Sequence, residues 1–392
     1  MIAAVLLGAA LLAAPRLPGN PDLILERLPE RSDSALRRSR AELRRDPANL
    51  ALALAYARSA LREARRASDP RYAGYAQSAL GPWWTAPRPP EPVLVLRATL
   101  RQYFHDFPAA LADLEAALAL DPADGQAWVT LAAIRQVRGE PALSRSACAP
   151  LLRLSSALVA ATCIAAANGL SGDLARSAPL LRTLLDRAAT ADTHAAGGPH
   201  AAANAGEKVW ALSVLADLDE RAGNAALAEA DFRAALAAAE PDAWLLGAWA
   251  DFLLDHRREA EVVELLRDRT RADALLLRLA IAGQRLGRPD AGAQVEMLRD
   301  RFATSRLRGD TAHRREEARF TLELLGEPRA ALALAQANWE VQREPADARL
   351  LLEAAVAAGD AAAARPVLDH LDRTRLEDVK LAALRSRLRG AP

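Results

Sequence analysis

The side chains with chemistry to offer are few and scattered. The chain has 392 residues but only six histidines and two cysteines. His313 stands one helical turn before Glu316, a spacing at which an imidazole and a carboxylate can share a metal ion or a proton. Glu316 and Glu317 are adjacent, so on a helix they diverge and form no acid/base pair. His194, His200 and Asp192 lie in ATADTHAAGGPHAAANAG (189–206), a Gly-containing stretch with no Cys or Glu to complete a ligand set, which reads as an inserted loop. No Gly-rich phosphate loop follows a strand pattern, and neither Gly-x-Ser-x-Gly nor His-Glu-x-x-His occurs. The expectation is a non-catalytic protein with no cofactor and no metal. The alternative from the enzyme class is a metal-dependent protein centred on His313.

Cys148 and Cys163 flank a turn near Leu154 to Ala157. From about Ser156 one lies eight residues back and the other seven forward, so antiparallel helices set them at equal height, where a disulfide fits. Two readings stand: a bond formed in an oxidising compartment, or two small core thiols in a cytosolic hairpin.

The elements that must position these groups are helices. The composition is 51% hydrophobic and only 4% aromatic, with Ala and Leu supplying most of the apolar count, which is helical material. A chain this long exceeds one compact core, so it forms several domains or a repeat array. Lys and Arg total 51 against 50 acids, and a net charge of +1 provides no field for nucleic acid or an anionic bilayer.

Between Pro92 and Arg153 two helix-turn-helix units sit back to back, joined by Asp121-Pro122. Ala109, Ala110, Ala116 and Ala117 alternate with Leu at helical spacing, and Trp128-x-x-Leu131 opens the second unit. The stretch resembles the tetratricopeptide (TPR) repeat, whose helix pairs recur about every 34 residues with a Trp-x-x-Leu-Gly-x-x-Tyr pattern. Ala132 and Arg135 stand at the Gly and Tyr positions, and Ala still permits close helix approach. The resemblance implies an all-α fold, a right-handed superhelix (α-solenoid) of about nine TPR-like helix pairs, with a protein or peptide partner on its concave face.

The spacing of turn glycines supports a repeat. Gly139, Gly172, Gly223, Gly287, Gly326 and Gly359 each separate two apolar-periodic segments, at intervals of 33, 51, 64, 39 and 33 residues. Glycine suits the left-handed conformation that ends a helix. His256 divides the 64-residue interval, and His105 begins the series 34 residues before Gly139. The 51-residue interval exceeds the period at 189–206, and the 39-residue interval exceeds it around Phe302 to Asp310.

In the resembled family the first helix of each pair lines the groove. Counting from the turn glycines places His313, Glu316, Phe320 and Glu323 there, with Arg315 and Arg319 on another side. The matching positions earlier in the chain are Gln102 with Val95 and Thr99, Gln136 with Val129 and Ala133, Thr162 with Val159 and Ala166, then Trp210, Ser213 and Asp217. Such a surface is small, mildly apolar and nearly uncharged. It suits an apolar or helical protein segment better than an acidic tail, which needs a Lys/Arg clamp. Two other readings remain, an ordinary solvated helix face and a superhelix coiled tightly enough to bury part of this surface.

In chain order, Met1 to Ala14 is apolar, too short to span a bilayer and suited to a secretory signal peptide, although it carries no Lys or Arg. The expected destination is a bacterial periplasm, with no stable membrane insertion after signal removal; a cytosolic adaptor is the alternative. Residues 21–91 are expected to hold a lead-in helix, a first pair (Asn49 to Ala67 and Pro70 to Leu80) and a Pro-rich, non-helical connector whose Trp83 and Trp84 pack over a repeat edge. Repeats follow over 92–188 and 207–374, and 375–392 is expected to be a capping helix.

Overall fold

The computed structural model describes residues 34–192, 201–310 and 312–389. These residues form helices joined by turns, with no strand among them. Helix α1 (Ser34–Arg45) leads into α2 (Leu50–Ala67) and α3 (Pro70–Ala79), followed by the single turn α4 (Gly81–Trp84). Helix α5 (Glu91–Tyr103) pairs with α6 (Phe107–Leu120), and α7 (Gly125–Val137) with α8 (Pro141–Cys148) and its short continuation α9 (Leu151–Leu154). Next come α10 (Ala157–Gly169) with α11 (Leu174–Asp192), α12 (Ala201–Ala222) with α13 (Ala225–Ala238), and α14 (Ala243–Asp255) with α15 (Glu259–Leu266). Helix α16 (Asp273–Arg285) pairs with α17 (Ala291–Leu307), α18 (Arg314–Glu323) with α19 (Pro328–Trp339), and α20 (Pro345–Ala358) with α21 (Arg365–Thr374). Helix α22 (Val379–Arg389) follows.

Local chemistry sets these boundaries. Asn49, Asp106, Asp124, Ser156 and Asp242 each accept a hydrogen bond from a backbone N–H of the first turn they cap, at 2.7 to 3.4 Å. Proline opens α3, α6, α8, α19 and α20, where its missing N–H has no helical partner to lose. At the turn within each pair the chain goes left-handed, with φ between 66° and 83° at Gly139, Gly172, Gly223, Gly287, Gly326 and Gly359. His105 serves in the same way at φ 59°. Where His256 was expected, Arg257 at φ 58° takes the role one residue later.

Several expectations change. The connector after the first pair is helical over Gly81–Trp84, since Pro82 falls at an N-terminal position that tolerates it. Trp83 and Trp84 are partly buried against the core of the first pair. The surplus near 302–310 lengthens α17 to Leu307 before Gly309 turns left-handed. Helices also enter both ends of 189–206, leaving 193–200, with His194 and His200, outside the described residues. The apolar run Met1 to Ala14 lies outside them too. Among the described residues no helix is long and apolar enough to cross a membrane.

The core is segmental. Buried clusters run Leu36 to Leu100, Leu94 to Ile134, Ala132 to Ala167, Leu158 to Leu324 and Ala318 to Leu388, each joining neighbouring pairs. No helix pair shelters its apolar side alone, so each stacks on the next.

The stack does not stay extended. It coils until the turns of its early pairs meet the connecting loops of its late ones. Gln342 Nε2 lies 2.8 Å from His105 Nδ1, and the Arg343 N–H donates to the Val137 carbonyl at 2.7 Å. Gly139 faces His370 and Arg343, Gly172 faces Arg375, and Gly223 faces Val379. Arg66 reaches Glu240 at 3.2 Å. Helix α22 lies on α20 and also touches α12, so the segment expected as a cap helps close the coil.

Candidate functional site

Closure leaves a cavity of about 340 Å³ on the coil axis, walled by α12, α14, α16, α18, α20 and the start of α22. Its wall is charged. The bases Arg221, Arg278, Arg315, Arg319, Arg349 and Lys380 face the acids Asp217, Glu220, Asp251, Asp255, Glu316, Glu323, Glu344, Glu353 and Asp378.

These charges are tied in pairs that span many residues of sequence. Asp251 accepts from Arg278 Nη2 and Arg319 Nη1, each at 2.5 Å. Arg319 also holds Glu323 at 2.7 Å, and Glu323 in turn takes Arg285 at 2.9 Å. Asp255 receives both terminal nitrogens of Arg349, at 2.5 and 2.7 Å, in the planar two-point geometry that makes guanidinium–carboxylate pairs strong. Lys380 Nζ sits between Glu220, at 2.5 Å, and Asp255. Arg315 binds Glu344 and, at 2.5 Å, Asp347.

The electrostatics follow from burial opposed by pairing. Burial pushes the Asp255 carboxyl upward, but Arg349 and Lys380 more than reverse this and hold it well below the usual carboxylate range. At Asp251 burial is likewise overcome by Arg278 and Arg319. Burial wins at Glu220, raised despite Lys380, and at Asp378, which accepts backbone N–H bonds from Lys380 and Leu381. The Lys380 ammonium is disfavoured by burial, yet Glu220 and Asp255 raise it. The large uncharged side chain left uncovered on this wall is Trp244, at the start of α14, 64% exposed.

Four of the residues expected on the groove reach this cavity, namely Ser213, Asp217, Glu316 and Glu323. Phe320 does not, because it is buried and packs on Phe302 with ring centroids 5.3 Å apart. His313 is exposed at the N-cap of α18. Trp210 packs against the core around the cysteines, Gln136 donates to Ser144 Oγ at 3.1 Å, and Gln102 lies off the cavity wall. Thr99, Thr162 and Ser213 are buried, and each hydroxyl donates to a carbonyl four residues back in its own helix.

On α18, then, Glu316 and Glu323 reach the axis as expected, but the other positions do not follow. Glu317 and Phe320 turn to the core and Arg315 and Arg319 turn to the axis. The cavity wall is strongly charged, whereas the first-helix positions from Val95 to Asp217 were expected to give a mildly apolar, nearly uncharged surface. Sequence reasoning passed over Asp251, Asp255, Arg278, Arg349 and Lys380, although charged residues recurring on otherwise apolar first helices were a legible signal. Cys148 and Cys163 are disulfide-bonded, joining α8 to α10. Among the described residues no group of three or more His, Cys, Asp or Glu is disposed to hold a metal ion.

Consecutive helix pairs, small residues at their contacts and left-handed turns near a 34-residue period decide the architecture. The fold is a TPR-like array. No protein-family model matches the array, and no curated protein does. Among solved structures it is similar to the APC/C hetero-tetramer Cut9–Hcn1, at 12% identity and TM-score 0.35, covering 90% of this chain and 52% of that one. It is also similar to Naa15/Naa10 bound to HypK-THB, at 13% identity and TM-score 0.23, covering 91% and 62%. A third is the P58(IPK) TPR domain, at 15% identity and TM-score 0.23, covering 85% and 97%. The array spans between half and two thirds of the length of the first two chains. Such scores transfer no partner, and the fold assignment stands on the helix pairs themselves.

Proposed function

We propose that the array is a non-catalytic scaffold that holds a segment of another protein in its axial cavity, and that it works in the bacterial periplasm. The observation that carries the binding reading is the cavity wall: charged groups fixed in place by mutual pairing, with the Trp244 indole exposed among them. Fixed polar groups lose little freedom when a ligand arrives, and an exposed indole is the side-chain type that anchors interfaces. Nine acids against six bases favour a partner segment that brings positive charge. The apolar N-terminal run and the Cys148–Cys163 bond support export, because such bonds persist in oxidising compartments.

Affinity capture from periplasmic extract tests the binding reading, comparing the full chain with Trp244→Ala and with Asp217→Asn. Loss of the same captured protein in the Trp244 variant is expected. Equal capture by all three proteins sinks the cavity as the site. Cell fractionation with N-terminal sequencing of the mature protein tests export, and an intact Met1 in a cytosolic fraction ends that part.

A further inference from the structure

The cavity is reached only as far as the coil lets it be. Its wall is lined by side chains already paired with one another, Asp255 with Arg349 and Lys380 and Asp251 with Arg278 and Arg319, so a partner helix reaches these groups only where such pairs part. Whether the coil opens therefore governs what it can hold.

The seam has the composition of a contact that separates. Its ties are the His105–Gln342 hydrogen bond, the Arg343 to Val137 backbone bond, and the ion pairs of Lys380 with Glu220 and Asp255 and of Arg349 with Asp255. Apolar packing stops on either side. Leu381, Leu384 and Leu388 of α22 belong to the core shared by α18 to α22, whereas Leu212, Leu215 and Leu218 of α12 belong to the core of the middle pairs. Two small side chains cross: Val341 packs on the core of α5 to α7, and Val379 lies on Gly223. Between α11–α12 and α21–α22 the faces leave a crevice of about 440 Å³, bounded by Leu174, Leu376 and Leu381. Protein interiors are close-packed, so a gap of this size marks two faces that are not fused into one core. The left-handed glycines supply the early edge with flat turns, letting the late loops rest on them without interlocking.

We infer that the seam is a reversible closure: α19 to α22, which share one core, move as a body away from the early turns, and the open coil admits a partner helix to the axis. The regulation rests on the scaffold reading of the cavity. The open state exchanges polar contacts for water and exposes little apolar surface, so screening the ion pairs favours it. Raising salt from about 0.1 to about 1 M shortens the screening length from about 10 to about 3 Å, which spans the pair distances at the seam. A cationic partner segment does the same work by taking Glu220 and Asp255 from Lys380.

Small-angle scattering of the full chain tests the inference directly. The radius of gyration is expected to rise with salt while helicity by circular dichroism stays constant, and Lys380→Gln is expected to show the larger radius already at low salt. A staple across the seam, Gly172→Cys with Arg375→Cys, holds the coil shut, because a Cβ at Gly172 stands 3.1 Å from that of Arg375. The oxidised staple is expected to abolish both the salt response and partner capture. A radius that ignores salt in the wild-type chain and in Lys380→Gln overturns the closure. Full capture by the stapled form overturns its regulatory role but leaves the scaffold reading intact. Failure of capture in every form removes the scaffold reading, while scattering still decides the closure.

Discussion

Gly139 and Gly287 form a matched pair for measuring what the seam contributes. Both are left-handed, at φ 69° and 66°, and both close the turn within a helix pair. They differ in surroundings. A Cβ at Gly287 meets nothing within 4 Å, whereas one at Gly139 stands 2.7 Å from His370 Cε1 and 2.9 Å from Arg343 Cβ. Alanine at either site must adopt the left-handed conformation, at about 1 to 2 kcal/mol. That is partly offset by about 0.4 to 1 kcal/mol from a less free unfolded chain, so Gly287→Ala costs about 1 kcal/mol. Gly139→Ala carries the same amount plus an overpacking penalty of about 1 to 3 kcal/mol, unless the seam yields instead. Urea unfolding midpoints give the difference between the two. Hydrogen exchange at the Arg343 amide, which bonds to Val137, distinguishes strain from opening. A repeat array need not unfold in one step, so the exchange measurement carries the decision. Equal midpoint shifts, together with unchanged protection at Arg343, would refute the contact between the early turns and the late loops.

Further expectations follow from individual groups. Burial pushes the His370 imidazole down to about 4 from an ordinary 6.5, with Arg373 and Arg343 adding to the effect. The native state therefore prefers the neutral ring: stability is full above the unfolded value and falls as pH drops from about 6.5 toward 4, by at most about 3 kcal/mol. Urea midpoints against pH for the wild type and His370→Gln check this, and parallel curves would count against it. Asp113 is buried and receives Arg97 at 2.7 Å and Arg101 at 2.6 Å, so Asp113→Ala strands a buried guanidinium and is expected to cost about 3 to 5 kcal/mol in denaturant unfolding. Opening the Cys148–Cys163 bond frees a loop of 15 residues and is expected to cost about 3 kcal/mol; urea midpoints with and without reductant measure it, and Cys148→Ser should match the reduced protein.

The helices and turns were legible in the sequence because their causes are local. Asn49, Asp124 and Asp242 cap helices by bonding N–H groups three residues on, and a left-handed glycine ends a helix wherever it stands. The matched height of Cys148 and Cys163 was legible for a similar reason, but whether they bond was left open by the sequence and settled only in the folded hairpin. The face of α18 was legible only in part: Glu316 and Glu323 reached the axis as their spacing placed them, but spacing did not say that Phe320 would turn to the core. Phe302, on the preceding helix, decided that by packing on Phe320. The cavity wall lay further out of reach. Asp255 finds Arg349 94 residues on and Lys380 125 residues on, and His105 finds Gln342 237 residues on. Those meetings depend on small rotations between successive pairs, summed around the coil. The sequence by itself determined a stack of helical hairpins, because each hairpin leaves an apolar side that its neighbour must cover. Only the tertiary structure decided that the stack closes on itself around a charged axis, because curvature belongs to the whole array and to no single repeat.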